Sequence, residues 1–259
     1  MNIQHEKPDI AKLRKQGYTI VDMHVHSNYS YDTSSNVEDI LKKAKRLGIG
    51  IAIADHNMID GNLKAQQSDI LVIPAIEVES KYGVDVLLYF YKKQDLISFY
   101  NDHVKPNKQT GIMGTSNLTI EEIIKRAKGY RCLICFAHPY RFYTKKIKNL
   151  FSKKLQTKNL FPLFDLVEAV NSKNIGNTRA IKKAKQLNKL VIGGSDAHRL
   201  SEIANVVTCS KNAQSIESFL NNIKNAENII VGKEAKLSYH LIRPILTLKN
   251  LIVHKVKKS

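Results

Sequence analysis

The sequence predicts an α/β fold whose largely parallel sheet closes, or nearly closes, into a barrel. Short apolar runs alternate with stretches of helical periodicity along most of the 259 residues, the pattern of parallel strands joined by helices. Seven or so such runs in one chain suit a barrel better than an open sheet. Histidine and carboxylate clusters fall at the ends of these runs, and one face of such a barrel gathers the strand ends into a site.

Residues 18–23 (YTIVDM) form the first predicted strand. Val37–Leu47 follows with apolar residues at helical spacing on a basic face, closed by Gly48. Residues 49–54 (IGIAIA), 70–76 (ILVIPAI) and 84–91 (VDVLLYFY) are the next strands, the last two joined by a Lys81-Tyr82-Gly83 hairpin turn. Residues 92–118 lack a clear pattern and read as a loop or lid. Thr119 is placed to cap a helix reaching Ala127, with Glu121 and Glu122 in its first turn. Residues 132–137, 166–170, 190–192 and 206–208 complete the strands, and 177–187 and 213–226 read as helices. The barrel domain is expected over residues 1–239, and residues 240–259 form a basic amphipathic C-terminal segment.

Composition narrows the function. Hydrophobic residues at 43% and charged residues at 25% belong to a globular chain rather than a disordered one. Three cysteines make a disulfide framework an unsuitable reading and point to a reducing, cytoplasmic setting. No apolar run approaches the ~18–20 residues of a membrane span, and the first residues lack a signal-peptide core. The 41 Lys and Arg against 23 Asp and Glu give a net charge of +18. Such a field attracts phosphate esters, nucleotides, nucleic acid or an anionic membrane.

Six clusters carry the chemistry: Asp22-Met23-His24-Val25-His26 with Asp32 beyond it; Asp55-His56; Glu77; Asp85; His138-Pro139; and Asp196-Ala197-His198. Alternate residues of a strand share a face, so His24 and His26 are positioned to grip one cation. Neutral imidazole is a preferred ligand of zinc and iron, and a carboxylate such as Glu77 offers two oxygens for bridging. Five histidines (24, 26, 56, 138, 198) and four carboxylates (32, 77, 85, 196) exceed the needs of one ion. A cluster of two or three divalent ions (Mn, Zn, Fe or Mg) is therefore expected.

Other signals are weaker. Cys132 and Cys135 sit three apart on an apolar strand and should face opposite sides, as buried thiols rather than a metal or redox pair. Gly193-Gly194-Ser195 lacks the ending of a phosphate-binding loop, and its glycines are read as permitting a tight turn before Asp196. Asn171, ending a strand, reads equally as a neighbour of the site or a turn residue.

The segments VDMHVHSNYSYD, IAIADHN, IPAIEVES, FAHPYR and GGSDAH occur in this order over roughly residues 20–210. In this the chain resembles the PHP family, the polymerase and histidinol phosphatase domains. The resemblance implies a distorted seven-stranded (β/α) barrel with a metal site at the C-terminal strand ends. It also implies phosphoester hydrolysis, with a hydroxide bridging two ions as attacking group. One ion would take His24, His26, Glu77 and Asp196, which would form the catalytic core. A second would share Glu77 and take His138 and Asp85. A third would take Asp32, His56 and His198. Many family members carry histidine where this chain has Asp85, a harder ligand that shifts preference toward manganese or magnesium. Asp22 is a candidate for orienting an imidazole. Arg141 and Arg199 are candidate phosphate clamps.

The expected function is thus a cytoplasmic, metal-dependent hydrolase of a small phosphate monoester, a nucleotide or the end of a short oligonucleotide. A 5′→3′ exonuclease acting on RNA or DNA is the alternative, encouraged by the charge and marked by steep salt dependence. A non-catalytic PHP binding module is the third reading, for which Asp85 is the only support. Nothing in the sequence bears on oligomeric state.

Overall fold

The computed structural model describes residues 1–81, 83–109, 115–140 and 160–234. Tyr82, Arg141 and the expected C-terminal segment 240–259 lie outside them. The strands are β1 (Asn2–Gln4), β2 (Tyr18–Val25), β3 (Gly50–Ile53), β4 (Ala75–Glu79), β5 (Asp85–Phe90), β6 (Cys132–Phe136), β7 (Leu166–Asn171), β8 (Leu190–Gly194), β9 (Val206–Lys211) and β10 (Asn228–Gly232). The α-helices are α1 (Ile10–Lys15), α2 (Val37–Leu47), α3 (Asp60–Ala65), α4 (Lys93–Phe99), α5 (Ile120–Ala127), α6 (Asn177–Gln186) and α7 (Ile216–Lys224).

Local chemistry accounts for the helix ends. In α2, Glu38 and Asp39 open the first turn, Lys45 and Arg46 close the last, and Gly48 adopts a left-handed φ of 68°, matching the helix dipole and a glycine stop. At α5 the Thr119 hydroxyl accepts from the Glu122 amide at 3.2 Å, while Glu122 Oε2 accepts from the Thr119 amide at 2.8 Å. This reciprocal box satisfies two otherwise orphaned donors.

The strands pair in two five-stranded sheets, ordered β1-β10-β9-β2-β3 and β4-β5-β6-β7-β8. Pairing is parallel for β1/β10, β2/β3, β6/β7 and β7/β8, and antiparallel for β10/β9, β9/β2, β4/β5 and β5/β6. The described strands therefore form a mixed α/β structure rather than one largely parallel, closed seven-stranded ladder. The short β4–β5 connection makes that pair antiparallel, and Gly83 in the turn has a φ of 71°. Isolated bridges mark the seams between sheets: Ile51–Val72 and His56–Glu77 on one side, Val25–Ala197 on the other.

The expected loop or lid at 92–118 is largely structured among its described residues. Helix α4 runs into a π-turn over Tyr100–Val104 and a 3-10 turn over Lys105–Asn107. Leu96, Phe99, Tyr100 and Val104 follow helical spacing and are buried, with Phe99 packed 5.5 Å from both Phe90 and Tyr130. The apolar spacing was present but diluted by Lys, Gln and Asp. Cys135 joins the buried cluster of Met23 and Tyr89, whereas Cys132 packs against that of Phe90 and Phe99, so the two thiols take opposite faces of β6. Burial pushes the Cys132 thiol up to about 12. Among the described residues no helix is long and apolar enough to cross a membrane.

Candidate metal centre

Strand ends from both sheets meet at one buried cluster. His24 lies in β2 and His26 just beyond it, and His56 follows β3. Glu77 and Asp85 lie in β4 and β5, His138 follows β6, and Asp196 and His198 follow β8. All are buried except half-buried His198, and Asp32, in the loop after β2, joins them. Exposure is graded. His24, Glu77, His138 and Asp196 are sealed at 0%, while Asp32 at 9%, His56 at 8% and His198 stand toward solvent. The latter three define the mouth.

Glu77 is the hub. Its Oε2 lies 3.4 Å from His24 Nε2, 3.4 Å from His26 Nε2 and 3.1 Å from His56 Nδ1. Its Oε1 lies 3.0 Å from His138 Nε2, which is 3.6 Å from Asp85 Oδ2. Asp196 Oδ1 is 3.4 Å from both His26 Nε2 and His198 Nδ1. Asp32 Oδ2 is 2.6 Å from His198 Nε2 and 3.7 Å from His56 Nε2.

Donor atoms converge in three overlapping groups: His24, His26 and Glu77; His56, Glu77 and Asp85; and His26, His56 and His198, each within 4.8 Å. These groups take in six of the nine expected residues; of the others, His138 lies 3.0 Å from Glu77 and 3.6 Å from Asp85, and Asp32 lies 2.6 Å from His198 and 3.7 Å from His56.

The donors fit divalent cations on two grounds. Glu77 Oε2 is buried and makes no hydrogen bond of acceptable geometry despite three imidazole nitrogens around it, a costly state for a buried carboxylate. Two donors about 2.1 Å from one tetrahedral ion are themselves about 3.4 Å apart, the separation that recurs among Glu77, Asp196, His24, His26 and His198. The imidazole–carboxylate mixture suits zinc, iron or manganese.

A supporting layer fixes the ligand orientations. Glu168, in the middle of β7 and 0% exposed, accepts from His24 Nδ1 at 3.0 Å on one oxygen. On the other it accepts from the His138 amide at 2.8 Å and from Asn171 Nδ2 at 3.0 Å. A carboxylate only accepts, so His24 Nδ1 carries a proton, and in the neutral ring Nε2 turns its lone pair inward. Sequence reasoning missed Glu168, although a charge inside the run LVEAVN was the available signal. Ser30 Oγ lies 3.1 Å from His26 Nδ1 and accepts from the His56 amide at 3.0 Å. Asp55 accepts from the amide and hydroxyl of Ser27, both at 2.6 Å.

Asp22 does not orient an imidazole, contrary to expectation. Its carboxylate accepts from the amides of Ser195, Ala204 and His24 at 2.9, 2.9 and 3.3 Å, so it secures the backbone beneath the ligands. Gly194 also has a different reason from a turn. It lies within β8, and a Cβ there would stand 2.5 Å from His24 Cβ. The turn instead places Asp196 at a φ of 53°, and His138 has a φ of 25°, strain of the kind that gathers at functional sites.

The cluster sets its own protonation. Burial disfavours charge on His24 and His56, but Glu77 and the neighbouring carboxylates outweigh it and raise both imidazoles well above the usual range. Burial likewise opposes the charge of Glu77, yet His24 and His56 hold it well below the carboxylate range. His26, buried and facing His198, is lowered to about 3. Burial pushes Asp22 and Asp55 up to about 6.

Of the two arginines expected to clamp phosphate, Arg199 is half-buried beside His198, and Arg141 lies outside the described residues. The structure adds Lys173, the single buried lysine among the described residues. Its Nζ lies 2.6 Å from His198 Nδ1 and 3.2 Å from Glu202 Oε2. A lysine in the strand-end segment VNSKN was its only trace in the sequence.

Comparison with known proteins places this geometry. A family profile described as "PHP domain" matches residues 22–174, and one described as "PHP-associated" matches residues 174–228. No curated protein matches significantly. Among solved structures, the chain is similar to a two-domain protein from Bacteroides vulgatus containing a predicted PHP-like metal-dependent phosphoesterase, with 15% identity, coverage of 90% of this chain and 68% of that one, and a TM-score of 0.59. It is also similar to the lesion-specific endonuclease PfuEndoQ from Pyrococcus furiosus, with 22% identity, 82% and 57% coverage and a TM-score of 0.64. An endonuclease Q complex with a 27-mer duplex bearing an abasic lesion at the active site gives 22% identity, 80% and 57% coverage and a TM-score of 0.64. The chain thus spans little more than half of the endonuclease, and these likenesses are of fold.

Proposed function

Because this chain belongs to the PHP domain family, we propose that it is a metal-dependent phosphoesterase whose centre is the Glu77 cluster. The observation that carries the reading is Glu77 Oε2, buried without a good hydrogen bond and faced by three imidazole nitrogens from two strand ends. His24, His26, Glu77 and Asp196 would hold one ion, with Glu77, Asp85 and His138 available to a second. Asp32, His56 and His198 would serve a third at the mouth. Bound divalent ions would supply positive charge against phosphoryl oxygens and lower the pKa of water.

The chain's own residues prepare that chemistry. Glu168 holds His24 in the tautomer whose Nε2 is free to ligate, and Ser30 steadies the His26 ring. The sealed floor keeps bulk water from Glu77, which strengthens every charge interaction there. The half-buried mouth at His56, Asp32 and His198 leaves one side for a phosphoester to approach. Lys173 and Arg199 bring cationic groups to that side, suited to the phosphate charge. The preferred substrate is a small phosphate monoester or nucleotide.

A second reading, phosphodiester cleavage in RNA or DNA, is favoured by the +18 net charge and by the fold likeness to an endonuclease. A non-catalytic module is the remaining reading. The test is metal content by elemental analysis with p-nitrophenyl phosphate hydrolysis across added Mn²⁺, Zn²⁺, Mg²⁺ and Fe²⁺. Two or three ions per chain with metal-dependent turnover, lost in Glu77→Gln, are expected. Absence of both metal and turnover would overturn the proposal.

A further inference from the structure

Helix α2 and the turn after β8 enclose a groove of about 490 Å³, lined by Asp39, Lys42, Lys43, Arg46, Leu200 and Ser201. The helix turns Val37, Ile40 and Ala44 into the core, which leaves its basic residues toward solvent and toward this groove. Charges nearby are neutralised: Lys45 Nζ sits 2.6 Å from Asp69 and Lys64 Nζ 2.5 Å from Glu38. In the groove, the ion pair of Lys42 among the described residues is with Asp39 at 3.8 Å. Among the described residues, Lys43 and Arg46 have no carboxylate within ion-pair distance. Uncompensated cations in a concavity form an anion site waiting for its charge.

The groove is linked to the metal centre through the chain around His198. Leu200 and Ser201 lie two and three residues after His198, and the hydroxyls of Thr33 and Ser35, leading into α2, donate to the His198 carbonyl at 2.7 and 3.3 Å. Half-buried Arg199 separates His198 from Leu200 in the sequence. From Lys42 to Arg46 the helix rises about 6 Å, comparable to the spacing of successive phosphates along a strand. An elongated polyanion fits this arrangement better than a lone phosphate. A membrane surface would need apolar flanks, and none of the exposed large hydrophobic residues (Met1, Tyr29, Tyr140, Leu163, Ile175) lines the groove.

We propose that this groove binds the sugar–phosphate backbone of a nucleic-acid strand whose flanking phosphoester lies at the metal centre. The second half of that statement rests on the second reading above, phosphodiester cleavage in RNA or DNA; the first half does not. Fluorescence anisotropy of a hydrolysis-resistant, phosphorothioate-linked single-stranded 20-mer, titrated with the full chain between 50 and 200 mM salt, tests it. The variants are Lys43→Glu/Arg46→Glu, the uncharged Lys43→Gln/Arg46→Gln, and a charge-matched control on other helices, Lys185→Glu/Lys224→Glu. p-Nitrophenyl phosphate turnover is measured alongside.

Both groove variants should weaken binding about tenfold or more, and the neutral pair should reduce the log–log salt slope by about 1.4, at roughly 0.7 per lost phosphate contact. The control should change affinity far less, and turnover should persist in all. Equal losses in groove and control variants would overturn the groove in favour of a diffuse field, as would no loss at all. Groove-dependent binding to phosphatidylserine vesicles without groove-dependent binding of the 20-mer would overturn it in favour of a membrane. Groove-dependent 20-mer binding in a protein without turnover on any metal would sink the phosphoesterase reading and leave the groove standing.

Discussion

The two sheets bring unlike chemistry to one centre. The first, through β2 and the segments following β2 and β3, contributes His24, His26 and His56. The second, through β4, β5, β7 and the turn after β8, contributes Glu77, Asp85, Glu168 and Asp196, with His138 and His198. Apart from Asp32, the donors of the first sheet are all imidazoles, whereas the second sheet brings carboxylates together with two imidazoles. Among the described residues, isolated bridges rather than a continuous ladder join the sheets: His56–Glu77 and Val25–Ala197 at the centre, and Ile51–Val72 beyond it. Side-chain charge crosses a seam that the strand ladder leaves open, so cohesion and chemistry depend on the same residues.

The largest break of that arrangement is Glu77→Gln, which keeps volume and removes the hub charge. Losing several kcal/mol of charge stabilisation corresponds to a fall in kcat of about 10³-fold or more. Steady-state turnover that stayed within tenfold of wild type would show that the seam is structural and the reaction lies elsewhere.

Metal removal sharpens the comparison through pH. In the metal-free fold His24 and His56 are raised above the ~6.5 of an unfolded chain. Their stabilising contribution is therefore complete below that value and is lost as pH rises through the raised native values. Glu77 and Asp32 are lowered, so theirs is present above the unfolded ~4 and is lost as pH falls further. Metal binding should strengthen about tenfold per pH unit for each imidazole proton displaced. Chelator competition and thermal unfolding at pH 6, 7 and 8 check both: the chelated protein should lose stability as pH rises while the metal-loaded protein does not.

Glu168→Gln probes the support beneath the seam. It keeps the shape but weakens the acceptor for His24 Nδ1, and metal affinity should fall about 10- to 100-fold. Turnover should return at saturating metal, which a purely structural defect would not allow. The smallest effect belongs to a site remote from the seam. Thr119→Ala removes one half of the α5 capping box and should cost about 1 kcal/mol in urea unfolding, with turnover unchanged.

Much of the centre is legible in the sequence because ligand pairs are local: His24 and His26 at i and i+2, Asp55 beside His56, Asp196 two before His198. The Thr119 cap is legible for the same reason, since its partner is three residues away. Glu168 is not, because His24, the ring it orients, lies 144 residues distant. Lys173 meets His198 across 25 residues, again beyond the reach of a local pattern. The order at Lys93–Phe99 is hidden differently, its apolar spacing masked by polar neighbours.

By itself the sequence determined the family to which the chain belongs and pointed to the residues that the fold gathers at one centre, because spacing within a strand dictates which side chains share a face. Only the tertiary structure decided how ten described strands divide into two sheets, and that Glu168 rather than Asp22 orients an imidazole. It also decided that Lys43 and Arg46 of α2 line a groove with Leu200 and Ser201. These depend on which distant segments pair and on which buried polar groups find partners, and both are settled by packing the whole chain at once.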